Sequence, residues 1–142
     1  MLESSQRLGP STWLEVGQSR IDAFARATED FQPIHVDPQA ASAGPFGTTV
    51  AHGFLTLSLL VPLLYEVAPP HDGVMINYGV DRVRFPAPVP AGSRIRAVFD
   101  VTAVDTVAGG HQARLVATME REGAERPVCV AELLVRLQEK PA

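Results

Sequence analysis

The chain has 142 residues, 46% of them hydrophobic and 20% charged, with a formal net charge of −4. These values describe one globular domain, residues 1–142, able to bury a core without disulfides or metals, and the acidic balance argues against a general nucleic-acid binder. The single cysteine, Cys129, cannot form an internal disulfide and points to a reducing, cytoplasmic setting, while the opening MLESSQRLGPSTW lacks the apolar core of a signal peptide.

Residues 11–17 read as a short strand. Ser19 has the chemistry of a helix N-cap, with Asp22 three residues on. Ile21, Phe24, Ala25 and Thr28 follow at helical spacing, so an amphipathic helix is predicted over 20–29. From Asp30 to Thr49 the residues Pro33, Pro38, Gly44, Pro45 and Gly47 punctuate the chain, and a loop is predicted. Residues 50–66 read as a second helix, capped by Thr48 or Thr49 and kinked at Pro62. Its apolar residues lie all round, the pattern of a buried helix. The run is too short, and too interrupted by His52, Gly53, Thr56, Ser58 and Pro62, to span a bilayer.

Beyond Pro69-Pro70 the period changes to two. Apolar residues fall on odd positions in 93–104, 112–120 and 128–137, the signature of half-buried antiparallel strands. Gly109-Gly110 and the polar segment 122–126 supply hairpin turns. Residues 74–85 form another strand whose phase slips near Asp81–Arg82, which predicts a bulge. One apolar helix followed by an antiparallel sheet with one greasy face predicts an α+β hot-dog fold, a curved sheet wrapped around a central helix. Such a sheet has open edges, so a homodimer joined edge to edge is expected.

The segment Asp30-Phe31-Gln32-Pro33-Ile34-His35 carries the chemistry. It resembles the Asp-x-Asn-Pro-x-His signature of the MaoC-like, or (R)-specific, enoyl-CoA hydratases. AHGFLTLSLL and NYGVDRVRFPAPVPAGSRIR extend the resemblance in the same order over about residues 20–100 and look most like the nodulation protein N branch. The chain departs from the pattern at Glu29, where the family often has Gly, and at Gln32, where it usually has Asn. Gln32 therefore stands beside the reacting groups as a candidate substrate contact. The resemblance implies a hot-dog dimer that hydrates trans-2-enoyl thioesters to (R)-3-hydroxyacyl products, with coenzyme A or acyl carrier protein as part of the substrate and no separate cofactor.

The residues support the chemistry without the family. Hydration needs a base to take a proton from water as it attacks C3, an acid to protonate C2, and donors for the charge growing on the thioester oxygen. An Asp and a His five residues apart in a Pro-stiffened loop can converge on one water. Asp30 is the candidate base and His35 the candidate acid, with the division shared or reversed as the alternative. A bland reading makes Asp30 a turn cap and His35 a satisfied loop histidine. Gly53 falls in the first turn of the apolar helix, where backbone N–H groups lack partners and suit an oxyanion; a close helix–strand contact is the competing reason for a glycine there.

His52 reads as structural or as a pocket wall. Ser58 matches a family position that contacts the active site, and equally suits a helix-interior serine bonded to its own backbone. Arg82, Arg84, Arg94 and Arg96 give residues 78–98 a local charge of +3 against Asp81, and Arg82, Arg84 and Arg94 are candidate partners of coenzyme A phosphates. The solvated face of two strands is the other account. The sequence spacing suggests no metal site. The alternative functions are a thioesterase on the same fold and a non-catalytic acyl-thioester-binding subunit.

Overall fold

Period-two alternation becomes one antiparallel sheet in the computed structural model, which describes residues 1–140. The chain runs β1 (Arg7–Leu8), β2 (Leu14–Val16), α1 (Gln18–Thr28), α2 (Pro33–Val36), α3 (Pro38–Ser42), α4 (Gly53–Ser58), α5 (Leu60–Val67), β3 (Val74–Arg84), β4 (Ser93–Val107), β5 (Gly110–Arg121) and β6 (Cys129–Gln138). The sheet order is β1-β4-β5-β6-β3, with β2 also paired to β4. The odd-numbered apolar positions of β4, β5 and β6 face inward, with Ile95, Phe99, Leu115 and Met119 fully buried. Each such side chain contributes about 1.5–3 kcal/mol relative to exposure. α4 packs against β6 and α5 against β4, so the sheet curves around the two helices and the expected hot-dog architecture is present.

The predicted bulge in β3 is real. Its pairing with β6 shifts register between Asn77 and Gly79 and again between Val80 and Val83. A further slip between Val101 and Ala103 moves the inward phase of β4, so Val104, and not the expected Ala103, packs against the core. The β4–β5 hairpin turns through Ala108-Gly109, with Gly109 at φ +81°, a left-handed conformation that glycine adopts without penalty.

Three expectations need correction. α1 starts at Gln18 with Gly17 at the N-cap, and Ser19 lies inside its first turn; Asp22 accepts a hydrogen bond from Gln18 Nε2 and closes no capping box. The stretch read as loop contains α2 and α3, because Pro33 and Pro38 each occupy a first helical position, where a fixed φ helps and the missing N–H costs nothing. The central helix is not buried all round. It divides around Leu59, since Pro62 cannot donate to the Ser58 carbonyl, and Phe54 and Tyr65 are 72% and 57% exposed. No helix of the described residues is long and apolar enough to cross a membrane.

Candidate active site

α1 ends at Glu29, whose φ of 63° and ψ of 20° put it in the left-handed region. That turn aims the next residues across the N-terminus of α4 and explains why glycine suits this position in the related signature. Asp30 follows, half-buried, with Oδ1 accepting from the Gln32 amide at 3.3 Å. One short turn later α2 carries His35 inward, where it is 7% exposed.

Backbone bonds fix this loop to its neighbours. Val50 N–H donates to the Ile34 carbonyl at 2.9 Å. Ala51 N–H donates to Val89 and Ala91 N–H to Thr49, so residues 49–51 lie strung between the Asp30–His35 loop and the 85–91 segment. Gln18 adds a side-chain tie. Its Nε2 donates to the His35 carbonyl at 2.7 Å, and its Oε1 accepts from the buried Thr49 hydroxyl at 2.6 Å. Neither Gln18 nor Thr49 was visible as a site residue in the sequence, because each meets a partner far away along the chain.

The protonation geometry of His35 follows from its partner. Nδ1 lies 2.7 Å from the Val50 carbonyl, and a carbonyl only accepts. Nδ1 therefore carries the proton, and in the neutral ring Nε2 carries the lone pair. The same reasoning applies to His52, whose Nε2 donates to the main-chain carbonyl of Asp30 at 3.0 Å. The His52 ring stacks on His35, centroids 3.9 Å apart and planes 24° apart, and Phe24 lies tilted against His52 with centroids 4.8 Å apart. His52 Nδ1 is buried with no hydrogen-bond partner among the described residues, a condition that costs about 1–3 kcal/mol.

The ligand-capable atoms of Asp30, His35 and His52 lie within 4.8 Å of one another, a cluster hidden in the linear spacing. Stacked rings carry their lone pairs in nearly parallel planes, so the two imidazoles do not converge on one ion at about 2.0–2.1 Å. The arrangement suits proton transfer between a carboxylate and an imidazole.

His35 opens onto a cavity of about 350 Å³ whose wall includes Phe46, Gly53, Thr56, Phe85 and Val89. Gly53 is the first residue of α4, so its N–H belongs to the turn that has no intrahelical acceptor. A β-carbon there would stand 2.9 Å from Cε2 and 3.0 Å from Cδ2 of Phe85, whose ring lies directly over the glycine. Thr56, read only as an interruption of the apolar helix, is buried in this wall and donates to the His52 carbonyl. A larger cavity of about 410 Å³ lies near Met1, Pro70, Met75 and Leu137, away from the Asp–His pair.

Several sequence candidates lie elsewhere. Ser58 is exposed and donates to the Phe54 carbonyl at 2.7 Å, the self-bonded alternative. Gln32 is exposed, and its backbone amide is what meets Asp30. Arg94 is engaged by Glu122 through two bonds of 2.7 and 3.1 Å, and Arg96 pairs with Glu120; both guanidiniums lie over Trp13. These side chains occupy even positions on the outer face of β4, where Glu122 holds the Arg94 guanidinium. Arg82 is largely exposed, at 4.0 Å from Glu132, and Arg84 immediately precedes the cavity residue Phe85.

A carboxylate and a tautomer-fixed imidazole beside a cavity at the head of a hot-dog helix define a site for acid–base chemistry on an acyl group. The family model described as MaoC like domain matches residues 3–122, and the chain belongs to that family. It is 47% identical to 3-hydroxyacyl-thioester dehydratase Z of Mycobacterium tuberculosis over 135 residues, 94% of this chain and 89% of that protein. It is 42% identical to nodulation protein N of Rhizobium leguminosarum bv. viciae, over 96% of this chain and 87% of the relative. The solved structure of the (R)-hydratase from A. caviae superposes with a TM-score of 0.80 at 29% identity, covering 96% of this chain and 97% of the other.

Proposed function

We infer that this chain is a lyase that adds water reversibly to a trans-2-enoyl thioester, giving the (R)-3-hydroxyacyl thioester. The observation that carries the reading is the meeting of Asp30 and His35, with His35 Nδ1 tied to Val50 and the ring opening onto the cavity that Gly53 also lines. In hydration, the free Nε2 of neutral His35 takes the proton of the attacking water as its oxygen bonds to C3, while the Asp30 carboxylate accepts a hydrogen bond from that water and orients it. His35 then donates to C2 as the imidazolium, which the Asp30 carboxylate beside it stabilises. The fixed tautomer favours a shared role over a strict division into Asp base and His acid. The Gly53 N–H is the donor for the thioester oxygen.

The substrate handle is coenzyme A or acyl carrier protein, with Arg82 and Arg84 as the candidate phosphate contacts and no further cofactor required. The activities for which relatives are named, dehydration of 3-hydroxyacyl thioesters and (R)-specific hydration of enoyl-CoA, support this reversible reaction and its handedness. The active unit is a homodimer formed through β3, whose free edge exposes Val74, Ile76, Tyr78 and Val80. A buried unpaired thiol at Cys129 supports a cytoplasmic location. Incubation with crotonyl-CoA should bleach the conjugated enoyl absorbance and yield (R)-3-hydroxybutyryl-CoA. Release of free coenzyme A thiol instead would identify a thioesterase, and no change in either signal across several chain lengths would favour a binding subunit.

A further inference from the structure

His52 is the one buried imidazole that the reaction as drawn does not use. It stands at the N-cap of α4, yet its side chain makes no capping bond, so helix initiation does not explain it. It is 2% exposed. A side chain wanted only for packing at such a place is better served by an apolar ring or a leucine, because the His52 Nδ1 lone pair is left without a partner among the described residues. What an apolar ring could not do is donate from Nε2 to the Asp30 carbonyl, a contact spanning 22 residues of sequence. Nor would a linear side chain present a flat face to His35 at 3.9 Å.

Both candidate reacting residues thus touch the same ring, one through its backbone and the other through its face. The Asp30 segment has little else to hold it. It follows a left-handed residue, Phe31 is 54% exposed, and the Asp30 carboxylate accepts only a long bond from the Gln32 amide. His35, by contrast, has Val50 on Nδ1 and Gln18 on its carbonyl. A ring that grips Asp30 and lies flat on His35 fixes the separation of the two.

We propose that His52 is a positioning residue: its Nε2–H anchors the Asp30 backbone, and its ring face sets the plane of the His35 imidazole, so that the carboxylate and Nε2 address one water. This deepens the hydratase reading and rests on it. The two contacts can be removed separately. His52→Phe keeps a flat ring against His35 and loses the donor. His52→Gln places an amide N–H near the position of Nε2 and loses the ring.

The experiment measures crotonyl-CoA hydration by wild type, both variants and Asp30→Asn, together with thermal melts and ¹H–¹⁵N spectra. The Phe31 amide belongs to the same peptide as the Asp30 carbonyl, so its resonance reports the anchoring bond directly. In His52→Phe, kcat should fall about 100-fold with KM within about threefold of wild type, as for a small misplacement of reacting groups. The Phe31 amide should move. His52→Gln should restore the Phe31 resonance and recover at least tenfold of the lost kcat. A folded His52→Phe with wild-type kcat overturns the proposal, as does an unshifted Phe31 amide in that variant. Equal losses in both variants that track only a lowered melting temperature also overturn it, since they mark a structural role. Wild-type protein that hydrates no enoyl thioester refutes the hydratase reading instead, and the Phe31 resonance still decides whether His52 anchors Asp30.

Discussion

Gly53→Ala adds one methyl group at the point where α4 meets the Phe85 ring, and the structure predicts how the molecule responds. The new carbon would lie 2.9, 3.0 and 3.2 Å from three ring atoms. Carbon–carbon contacts settle at about 3.5–4.0 Å, so the ring must retreat by roughly 0.6 Å or more. Overpacking costs typically about 1–3 kcal/mol. Phe85 is 41% exposed and can move outward, so the low end applies, near 1 kcal/mol, or a fall of about 3 °C in Tm. Activity should suffer more than stability, because the methyl sits beside the amide assigned to the thioester oxygen. Loss of an oxyanion donor costs about 100-fold or more in kcat. A double-mutant cycle with Phe85→Ala, read by urea denaturation, separates the causes. If the ring collision is the source, the Gly53→Ala cost should vanish in the Phe85→Ala background, a coupling of about 1 kcal/mol, while kcat stays low. Strictly additive stabilities would refute the collision. A folded, fully active Gly53→Ala would refute the oxyanion role.

The remaining predictions are simpler. Asp30→Asn and His35→Asn should each abolish hydration by several orders of magnitude while melting normally, and the double variant should lose little more, because residues that act as a unit are non-additive; full activity in either folded single variant refutes the mechanism. Glu29→Gly should raise stability by up to about 1 kcal/mol in chemical denaturation, since a left-handed non-glycine residue costs about 1–2 kcal/mol and glycine returns part of that gain as chain entropy. Val80→Lys, on the open edge of β3, should shift the protein from dimer to monomer in light scattering, and an unchanged dimer would exclude that edge. Burial pushes the Cys129 thiol from its ordinary 9.0 up to about 11. The folded state then holds a proton that the unfolded chain releases, so the stabilisation is complete below pH 9 and lost as pH rises toward 11. Urea midpoints of wild type should decline through that window relative to Cys129→Ala.

Strand signals were the most legible part of the sequence, because a half-buried strand writes its two faces alternately into adjacent residues. Ile95 to Val101, Ala113 to Met119 and Cys129 to Leu137 lie as their alternation says. Helix exposure was not legible. Phe54 and Tyr65 are apolar yet face outward, and composition cannot distinguish a side chain buried in the core from one awaiting another surface. The prolines misled because the same residue breaks a helix from inside and begins one at its first position, as Pro62 and Pro33 illustrate. Asp30 and His35 were visible through the resemblance of their segment to the Asp-x-Asn-Pro-x-His signature, since the bare spacing suits a turn cap and a loop histidine equally. His52, Thr56, Gln18 and Thr49 were not, since their importance lies in hydrogen-bond partners that the linear sequence does not mark, the farthest being the Gln18 side chain, 31 residues from the Thr49 hydroxyl. The pairing of Arg94 with Glu122 is hidden in the same way, because the partner is 28 residues further on.

The strip at residues 49–51 has a consequence for how the protein fails. It bonds to the Asp30–His35 loop on one side and to the 85–91 segment on the other, and Val50 and Ala51 are themselves buried. Opening the loop alone would strand the Val50 N–H and carbonyl inside the protein, and opening the 85–91 segment alone would do the same to the Thr49 carbonyl and the Ala51 N–H. Partial opening of either segment is therefore a costly event, and the region belongs to the most slowly exchanging cooperative unit of the chain. The amides of Val50, Ala51 and Ala91 should exchange with deuterium only through global unfolding. Heat inactivation should then follow the melting curve itself, with no lower-temperature phase in which a folded protein has lost its active site.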